Sequence, residues 1–289
     1  MTFSTLFLIQ ILVTILFSIL AAIFDVRYNF VPDKLTFSLL FFGLASNMIL
    51  SIISTNIKFI LASIISMLLT YIITYMLWKL KMWGGGDVKL FTAIATVIPF
   101  GLNVDFLNIF PLLSVYPFAF SVVVNSILVS FPFLLAFLIY LVIRNETFKS
   151  HPAFLILLFN IENLKELIHS TLNRTIPVKD LHEGNIVNNC YFNDEHIIEL
   201  ITETDGNLEV YESGGDDDFR YYFKSMSAGG ITEKDMTLIK VMSAQGYIGD
   251  AISVKISYPF APAISIGLLI AVFYGDIMMI LTKNMMLVI

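Results

Sequence analysis

Six long apolar segments constrain the fold of this chain more than any other feature of its sequence. They cover roughly residues 3 to 24, 35 to 54, 59 to 80, 88 to 104, 117 to 143 and 259 to 282. A helix needs about 20 apolar residues to cross the hydrocarbon core of a bilayer. A hydrophobic content of 57% and a mean hydropathy of +0.82 exclude an ordinary soluble domain. The sequence therefore predicts an α-helical polytopic membrane protein with six transmembrane helices.

Basic residues near the ends of these segments predict the orientation of the helices. One side of the membrane receives seven lysines and arginines from the short connections: Arg27, Lys34, Lys79, Lys81, Lys89, Arg144 and Lys149. The other side receives only Lys58 and Lys283. Because cytoplasmic loops are enriched in lysine and arginine, we expect the first side to face the cytoplasm. Asp25 and Asp87 then both lie at the cytoplasmic end of the membrane.

Residues 144–257 differ in composition from the segments on either side. They hold 18 of the 23 acidic residues and 10 of the 17 basic ones, which gives a formal charge of −8. A segment of this length can bury a small core of its own. We therefore predict a small α+β cytoplasmic domain inserted between helices 5 and 6. The domains are then residues 1–143 with the first five helices, 144–257, and 258–289 with the last helix.

Short patterns predict elements within this inserted domain. Strands are expected at residues 186–187, 197–201, 208–211 and 252–256, with a hairpin turn at 205–207. Thr232 and Asp235 form a capping box that opens a short helix. Residues 154–168 have one apolar face and are expected to lie along the membrane surface.

The cysteine and the histidines do not indicate a metal site. Cys190 is the only cysteine, which excludes an intramolecular disulfide and a zinc site built on cysteine pairs. We expect it to be a small buried hydrophobic residue. The four histidines show no ligand spacing. We therefore expect no metal, no cofactor and no nucleic-acid partner.

Three glycines followed by an aspartate, Gly84, Gly85, Gly86 and Asp87, lie between two apolar segments. Each glycine costs about 1 kcal/mol of helix propensity relative to alanine. An ionised aspartate at bilayer depth costs roughly 2.5 to 3.5 kcal/mol. The simplest interpretation is a turn in which Asp87 caps the next helix at the water interface. The alternative is a catalytic site, which needs a second carboxylate at the same depth, and Asp25 is the candidate.

Two carboxylates that meet at the membrane edge suggest a particular chemistry. Like charges a few ångströms apart do not both ionise easily, so that Asp25 and Asp87 are expected to share one proton. One carboxylate then acts as general base to a water, while the other, protonated, polarises a carbonyl, as in aspartic proteases. The glycines before Asp87 would let a substrate backbone approach closely.

Two further acidic residues lie in or beside the apolar segments. Asp33 follows Pro32 and precedes the second segment, which is typical of a helix N-cap. Asp276 lies deep in the last segment and is a candidate partner for a hydroxyl or a third acid.

The residues around Asp25 and Asp87 resemble a known family. Gly84 to Asp87 match the GxGD signature of the intramembrane aspartyl proteases, with glycine also at the variable position. Asp25 followed by Val31 to Thr36 is similar to the first catalytic segment of type IV prepilin peptidases. The archaeal branch, the preflagellin and prepilin peptidases, is also similar at residues 181–186, 229–233 and 254–262. The resemblance therefore covers nearly the whole chain.

The resemblance implies an aspartic endopeptidase with Asp25 and Asp87 as the catalytic pair. Gly84, Gly85 and Gly86 would form the flexible approach to it. The implied partners are the lipid bilayer and archaellin or pilin-like precursors, whose short basic leader peptides are cut at the cytoplasmic face of the plasma membrane. Bacterial relatives often add paired cysteines and a methyltransferase activity, whereas this chain is expected to be a peptidase only. The sequence decides neither the precursor nor the oligomeric state.

Two other functions fit parts of the sequence. A presenilin-like or signal-peptide-peptidase-like protease shares GxGD, but those enzymes have Tyr-Asp where this chain has Phe24 and Asp25. Their Pro-Ala-Leu motif is matched only loosely by Pro262-Ala263-Ile264. A proton-coupled transporter would use Asp25, Asp87 and Asp276 as a relay, and it would normally show inverted repeats that this sequence lacks.

Overall fold

The chain forms two compact units. The computed structural model describes residues 3–80, 83–99, 117–144, 173–214, 218–225, 229–255, 258–279 and 282. Residues 1–133 together with 259–289 make the first unit, and residues 134–258 make the second. We call them the helical unit and the sheet unit.

Five helices precede the sheets in the part of the chain that the structure describes. They are α1 (Phe3–Tyr28), α2 (Asp33–Ile53), α3 (Lys58–Lys79), α4 (Gly85–Val97) and α5 (Phe118–Arg144). Among the described residues, four helices are long and apolar enough to cross a membrane, namely α1, α2, α3 and α5. The first, second, third and fifth predicted segments are therefore confirmed as helices.

Helix α1 ends in a way that matters for Asp25, which lies near its end. Asn29 adopts the left-handed conformation with φ of 56°. Its N–H donates to the Asp25 carbonyl over 2.8 Å. Asparagine tolerates this conformation better than most residues, and one such residue commonly terminates a helix. The chain then turns through Val31 and Pro32 into α2.

Helix α4 is short and almost entirely buried between α2 and α3. Its 13 residues span about 20 Å, less than the roughly 30 Å of a hydrocarbon core. The predicted fourth span, 88 to 104, is therefore not confirmed as a full crossing, and residues 100–104 lie outside the described part. The helix begins three residues earlier than predicted, so that Asp87 lies inside its first turn.

Polar side chains of α2 and α3 satisfy the carboxyl end of α4. The Asn47 amide donates to the carbonyls of Thr96 and Val97 over 3.0 and 3.1 Å. The Ser63 hydroxyl donates to the Thr96 carbonyl over 2.6 Å. Gly43 permits the close approach, because a Cβ there would lie 2.9 Å from the Val97 nitrogen. The last carbonyls of a helix lack partners within it, so these contacts fix where α4 ends.

Among its described residues from 173 onwards, the sheet unit has two three-stranded antiparallel sheets and two helices. In chain order the elements are β1 (Asn173–Pro177), a 3₁₀ turn (Val178–Asp180), β2 (Ile186–Val187), β3 (Cys190–Phe192), α6 (Glu195–Glu203), β4 (Leu208–Glu212), β5 (Tyr221–Ser225), α7 (Glu233–Ala244) and β6 (Ala251–Lys255). The strand orders are β1-β6-β2 and β3-β5-β4. Their inner faces and the two helices share one apolar core that includes Phe192, Phe223 and Ile239.

Most of the predicted elements of this unit are confirmed. Strands occur at 186–187, at 208–212 and at 251–255. The capping box at Thr232 is also present, since the Thr232 N–H donates to the Asp235 carboxylate over 2.8 Å. The predicted amphipathic stretch 154–168 lies outside the described residues.

The strand predicted at residues 197–201 is wrong, because this stretch lies in α6. The Asp194 carboxylate accepts the His196 N–H over 2.8 Å and caps the helix. Ile197 and Ile201, one helical turn apart, are buried on the same face. β-Branched side chains favour strands by propensity. The N-cap and the helical spacing of the buried residues outweigh that preference and make this stretch a helix. The predicted hairpin at 205–207 is therefore wrong as well, since these residues lead from α6 into β4.

Helix α8 (Ala261–Phe273) packs against α1 in the helical unit. It also has 13 residues, so the predicted span 259 to 282 is not confirmed as one crossing. The helix ends before Gly275, whose φ is 88°. Asp276 therefore lies at a break in the last predicted segment, and its carboxylate accepts the Met278 N–H over 2.8 Å, where residues 277–279 are helical again. The Asn125 side chain of α5 hydrogen-bonds to the chain just after α8. Its amide N–H donates to the Gly275 carbonyl, and its amide oxygen accepts the Ile277 N–H.

Candidate active site

The structure brings the two predicted aspartates together inside the helical unit. Asp25 lies near the end of α1, and Asp87 lies in the first turn of α4. Each is only 8% exposed. Their carboxylates are close enough for their charges to repel each other. Two buried carboxylates whose charges repel each other form a site suited to exchanging a proton.

The start of α4 holds the Asp87 side chain. Gly84 is the N-cap and has extended backbone, with ψ of 154°. The Asp87 carboxylate accepts the Gly84 N–H over 3.0 Å, as the acidic residue of a capping box does. Gly84 has no side chain that could accept a hydrogen bond in return. Its backbone carbonyl accepts the Asp87 N–H over 3.2 Å instead. The interpretation of Asp87 as the N-cap itself is therefore wrong by three positions.

The start of α8 holds the Asp25 side chain. The Asp25 carboxylate accepts the Ala261 N–H over 2.9 Å. The first N–H groups of a helix have no partner within it, so they are available to an acceptor from elsewhere. Sequence reasoning did not find this contact, which joins residues 236 positions apart. The signal available was Pro262, since proline in the first turn is typical of a helix start.

The three glycines before Asp87 are not equivalent. A Cβ at Gly86 would lie 3.1 Å from the Val31 Cβ, closer than side chains normally pack. A Cβ at Gly84 would lie 3.2 Å from the Asp87 carboxylate. At Gly85 the nearest atom is 3.7 Å away, an ordinary contact. The two crowded positions are therefore the two fixed glycines of the GxGD pattern, and the roomy one is its variable position.

The other acidic residues that the sequence singled out lie outside this pair. Asp33 is the first residue of α2 and Pro32 is its N-cap, so the prediction of Asp33 as N-cap is wrong by one residue. The Asp33 carboxylate instead pairs with the Lys89 ammonium on α4. Both side chains are well exposed, at 58% and 40%, so this pair adds little stability.

The described residues do not form a cluster of metal ligands. Within the ranges that the structure describes, no three His, Cys, Asp or Glu side chains cluster as metal ligands would. The chemistry that the visible groups offer is acid–base chemistry by Asp25 and Asp87.

The fold and the site thus define a membrane protein that keeps two interacting aspartates in its helical interior. Residues 12–143 match the type IV leader peptidase family, and this segment contains both aspartates. The chain is 22% identical to prepilin peptidase EppA of Methanothermobacter thermautotrophicus, over 96% of this chain and 97% of that protein. The resemblance to the prepilin and preflagellin peptidases is confirmed.

Proposed function

We propose that this protein is an aspartic endopeptidase that removes the leader peptide from pilin-like or archaellin precursors. One observation carries the proposal. Asp25 and Asp87, contributed by different helices, interact inside the segment that matches the type IV leader peptidases. Leader processing by a similar protein is indicated by the name of the prepilin peptidase that matches nearly the whole chain.

In the proposed reaction the aspartates act as a general acid and a general base. The ionised carboxylate takes a proton from a water molecule while the water oxygen attacks the carbonyl carbon of the scissile peptide bond. The protonated carboxyl donates its proton to the carbonyl oxygen. The tetrahedral species then collapses: the carboxyl that took the water proton gives it to the leaving nitrogen, the other carboxylate takes a proton from one hydroxyl, and the C–N bond breaks. Each proton transfer of this kind contributes about 10² to 10⁴ in rate.

The backbone around Asp87 supports the approach of a peptide. The glycine segment carries no side chain between Trp83 and Asp87, which leaves backbone groups accessible to an extended substrate. Gly84 and Gly86 are crowded on one side by Asp87 and Val31. We therefore assign Gly84, Gly85 and Gly86 to the substrate approach.

The proposal includes a topology. Six membrane-embedded helices, α1 to α5 and α8, would surround the site, with α4 and α8 shorter than the others. The acidic domain 144–257 would be cytoplasmic, between segments 1–143 and 258–289. Lysines and arginines are concentrated at the first, third and fifth connections between the six predicted segments. This distribution favours a cytoplasmic active site in the plasma membrane. A precursor leader rich in basic residues would meet the enzyme on that side.

The direct test is cleavage by the purified full-length chain in lipid vesicles. The substrate is a precursor with a short basic leader ending in glycine, and the products are identified by mass spectrometry. We expect one cut after that glycine. A matched precursor with a bulky residue in place of the glycine should stay intact. No cleavage of any precursor by folded protein would overturn the proposal, and cuts within a transmembrane helix would favour a presenilin-like protease.

A further inference from the structure

Three aromatic rings meet beside the two aspartates. The Trp83 ring stacks on the Phe91 ring at 5.1 Å and on the Phe260 ring at 5.4 Å between centroids. The Phe91 and Phe260 rings lie 6.3 Å apart and are tilted by 54°. We call Trp83, Phe91 and Phe260 the aromatic cluster. Trp83 and Phe91 are buried, at 8% and 1% exposure, and Phe260 is half-buried.

Two members of the cluster are tied to Asp87. Trp83 directly precedes Gly84, whose N–H donates to the Asp87 carboxylate over 3.0 Å. Phe91 lies four residues after Asp87 in α4, one helical turn along the same face. A shift of the Trp83 ring therefore moves the peptide that holds Asp87.

The third member of the cluster is tied to Asp25. Phe260 is the N-cap of α8 and directly precedes Ala261. The Ala261 N–H donates to the Asp25 carboxylate over 2.9 Å. The contact of Trp83 with Phe260 therefore joins the two backbone segments that hold the two carboxylates.

We infer that the aromatic cluster is a positioning element that sets the separation of the Asp25 and Asp87 carboxylates. The inference rests on the proposed function, for which that separation decides whether one proton is shared. Stacked rings have few rotamers and resist compression, so they define a distance better than flexible side chains do. Trp83, Phe91 and Phe260 carry no group that exchanges a proton in the proposed reaction and are positioning residues.

The test compares variants of the full-length enzyme in vesicles with a precursor substrate. Trp83→Leu and Phe260→Leu remove one ring each, whereas Trp83→Phe keeps a ring in place. Tyr71→Leu is the matched control, because the Tyr71 ring stacks on the Tyr75 ring at 5.6 Å and both residues belong to α3. The measurements are kcat, KM and the pH dependence of kcat, each corrected for the folded fraction.

We expect Trp83→Leu and Phe260→Leu to lower kcat by about 10-fold to 100-fold with KM changed less than threefold. The two limbs of their pH profiles should move closer together, because carboxylates that are farther apart titrate more independently. Trp83→Phe should recover most of kcat, and Tyr71→Leu should match the wild type.

A merely structural role predicts a different result. Thermal stability would fall in Trp83→Leu, while kcat per folded molecule and the pH profile stayed unchanged, and that outcome would overturn the inference. If Trp83→Leu does not fold, the smaller change Phe260→Leu decides in the same way. Failure of the proposed function is distinct, since the wild type would then cleave no precursor.

Discussion

The helical unit and the sheet unit place their polar side chains in opposite ways. Of the 20 buried polar side chains among the described residues, 19 belong to the helical unit, and only Asp235 belongs to the sheet unit. The helical unit exposes large apolar side chains such as Phe41 and Ile52, both at 66%. The sheet unit buries Phe192 and Phe223 in its core, although it exposes Phe219 at 45%.

This difference follows from the solvent of each unit. In lipid, apolar side chains gain little by turning inward, and helices associate through close packing and hydrogen bonds between them. Gln10 of α1 accordingly donates to Ser46 of α2, and Ser265 of α8 donates to the Ser18 carbonyl of α1. In water, burial of apolar surface drives folding, and a buried polar group must have a specific partner. The same substitution therefore has different consequences in the two units.

The largest expected effect tests whether polar groups inside the helical unit perform chemistry as well as packing. Asp25→Asn and Asp87→Asn should each lower kcat for precursor cleavage by about a thousandfold or more, because an amide cannot exchange the proton. Thermal unfolding should show that the fold is retained. Asp33→Asn is the control, since it breaks only an exposed ion pair. Near-normal turnover by folded Asp87→Asn would falsify the assignment of the catalytic pair.

The next effect concerns the one buried polar side chain of the sheet unit. The Asp235 carboxylate accepts the N–H groups of Thr232 and Asn207 over 2.8 and 2.9 Å. Asp235→Ala should destabilise this unit by about 2 to 4 kcal/mol, because both donors lose their partner in a buried site. Limited proteolysis of the full chain measures such local opening. Asp250→Ala, at an exposed position, should change little, and equal resistance of both variants would contradict the expectation.

A smaller effect distinguishes two neighbouring glycines in the helical unit. Gly86→Val should slow cleavage about tenfold, because its side chain would collide with Val31, whereas Gly85→Ala should be almost neutral. The expected order follows from the contacts at 3.1 and 3.7 Å. Steady-state kinetics with one precursor measures both. Equal effects would show that the segment acts only as a linker.

A last effect uses Cys190 to report on the sheet unit without any substitution. Burial raises the pKa of the Cys190 thiol to about 11, although a hydrogen bond with the Tyr191 backbone opposes the rise. At pH 8 the reactive thiolate is then only about one part in a thousand. Iodoacetamide should therefore label the folded chain about a hundredfold more slowly than the urea-unfolded chain, with the rate rising towards pH 11. Labelling is read by mass spectrometry, and equal rates would mean that the unit opens freely.

The sequence was sufficient to predict whatever depends on local composition. Long apolar runs predicted α1, α2, α3 and α5, because hydropathy alone decides whether a segment of that length enters a bilayer. The carboxylates Asp25 and Asp87 stood out because an acid is costly in apolar surroundings. Their encounter could be suggested from their common position at one end of two apolar segments, and the resemblance to a family supported it.

Features that depend on distant partners could not be predicted in this way. The end of α4 is fixed by Asn47 and Ser63, which lie in other helices. The hydrogen bond of Asp25 with Ala261 likewise depends on tertiary packing. The wrong strand at 197–201 is a local error instead, because the β-branched residues Ile197 and Ile198 favoured a strand and capping by the neighbouring Asp194 overrode that preference.

The enclosure of α4 has a consequence for the response of the enzyme to its membrane. Because α2 and α3 cover this helix and its residues are nearly all buried, α4 presents almost no surface to acyl chains. Hydrophobic mismatch acts where apolar helix surface meets lipid. A thicker or thinner bilayer therefore tilts α2 and α3 first, and its strain reaches Asp87 only through the contacts of those helices with α4.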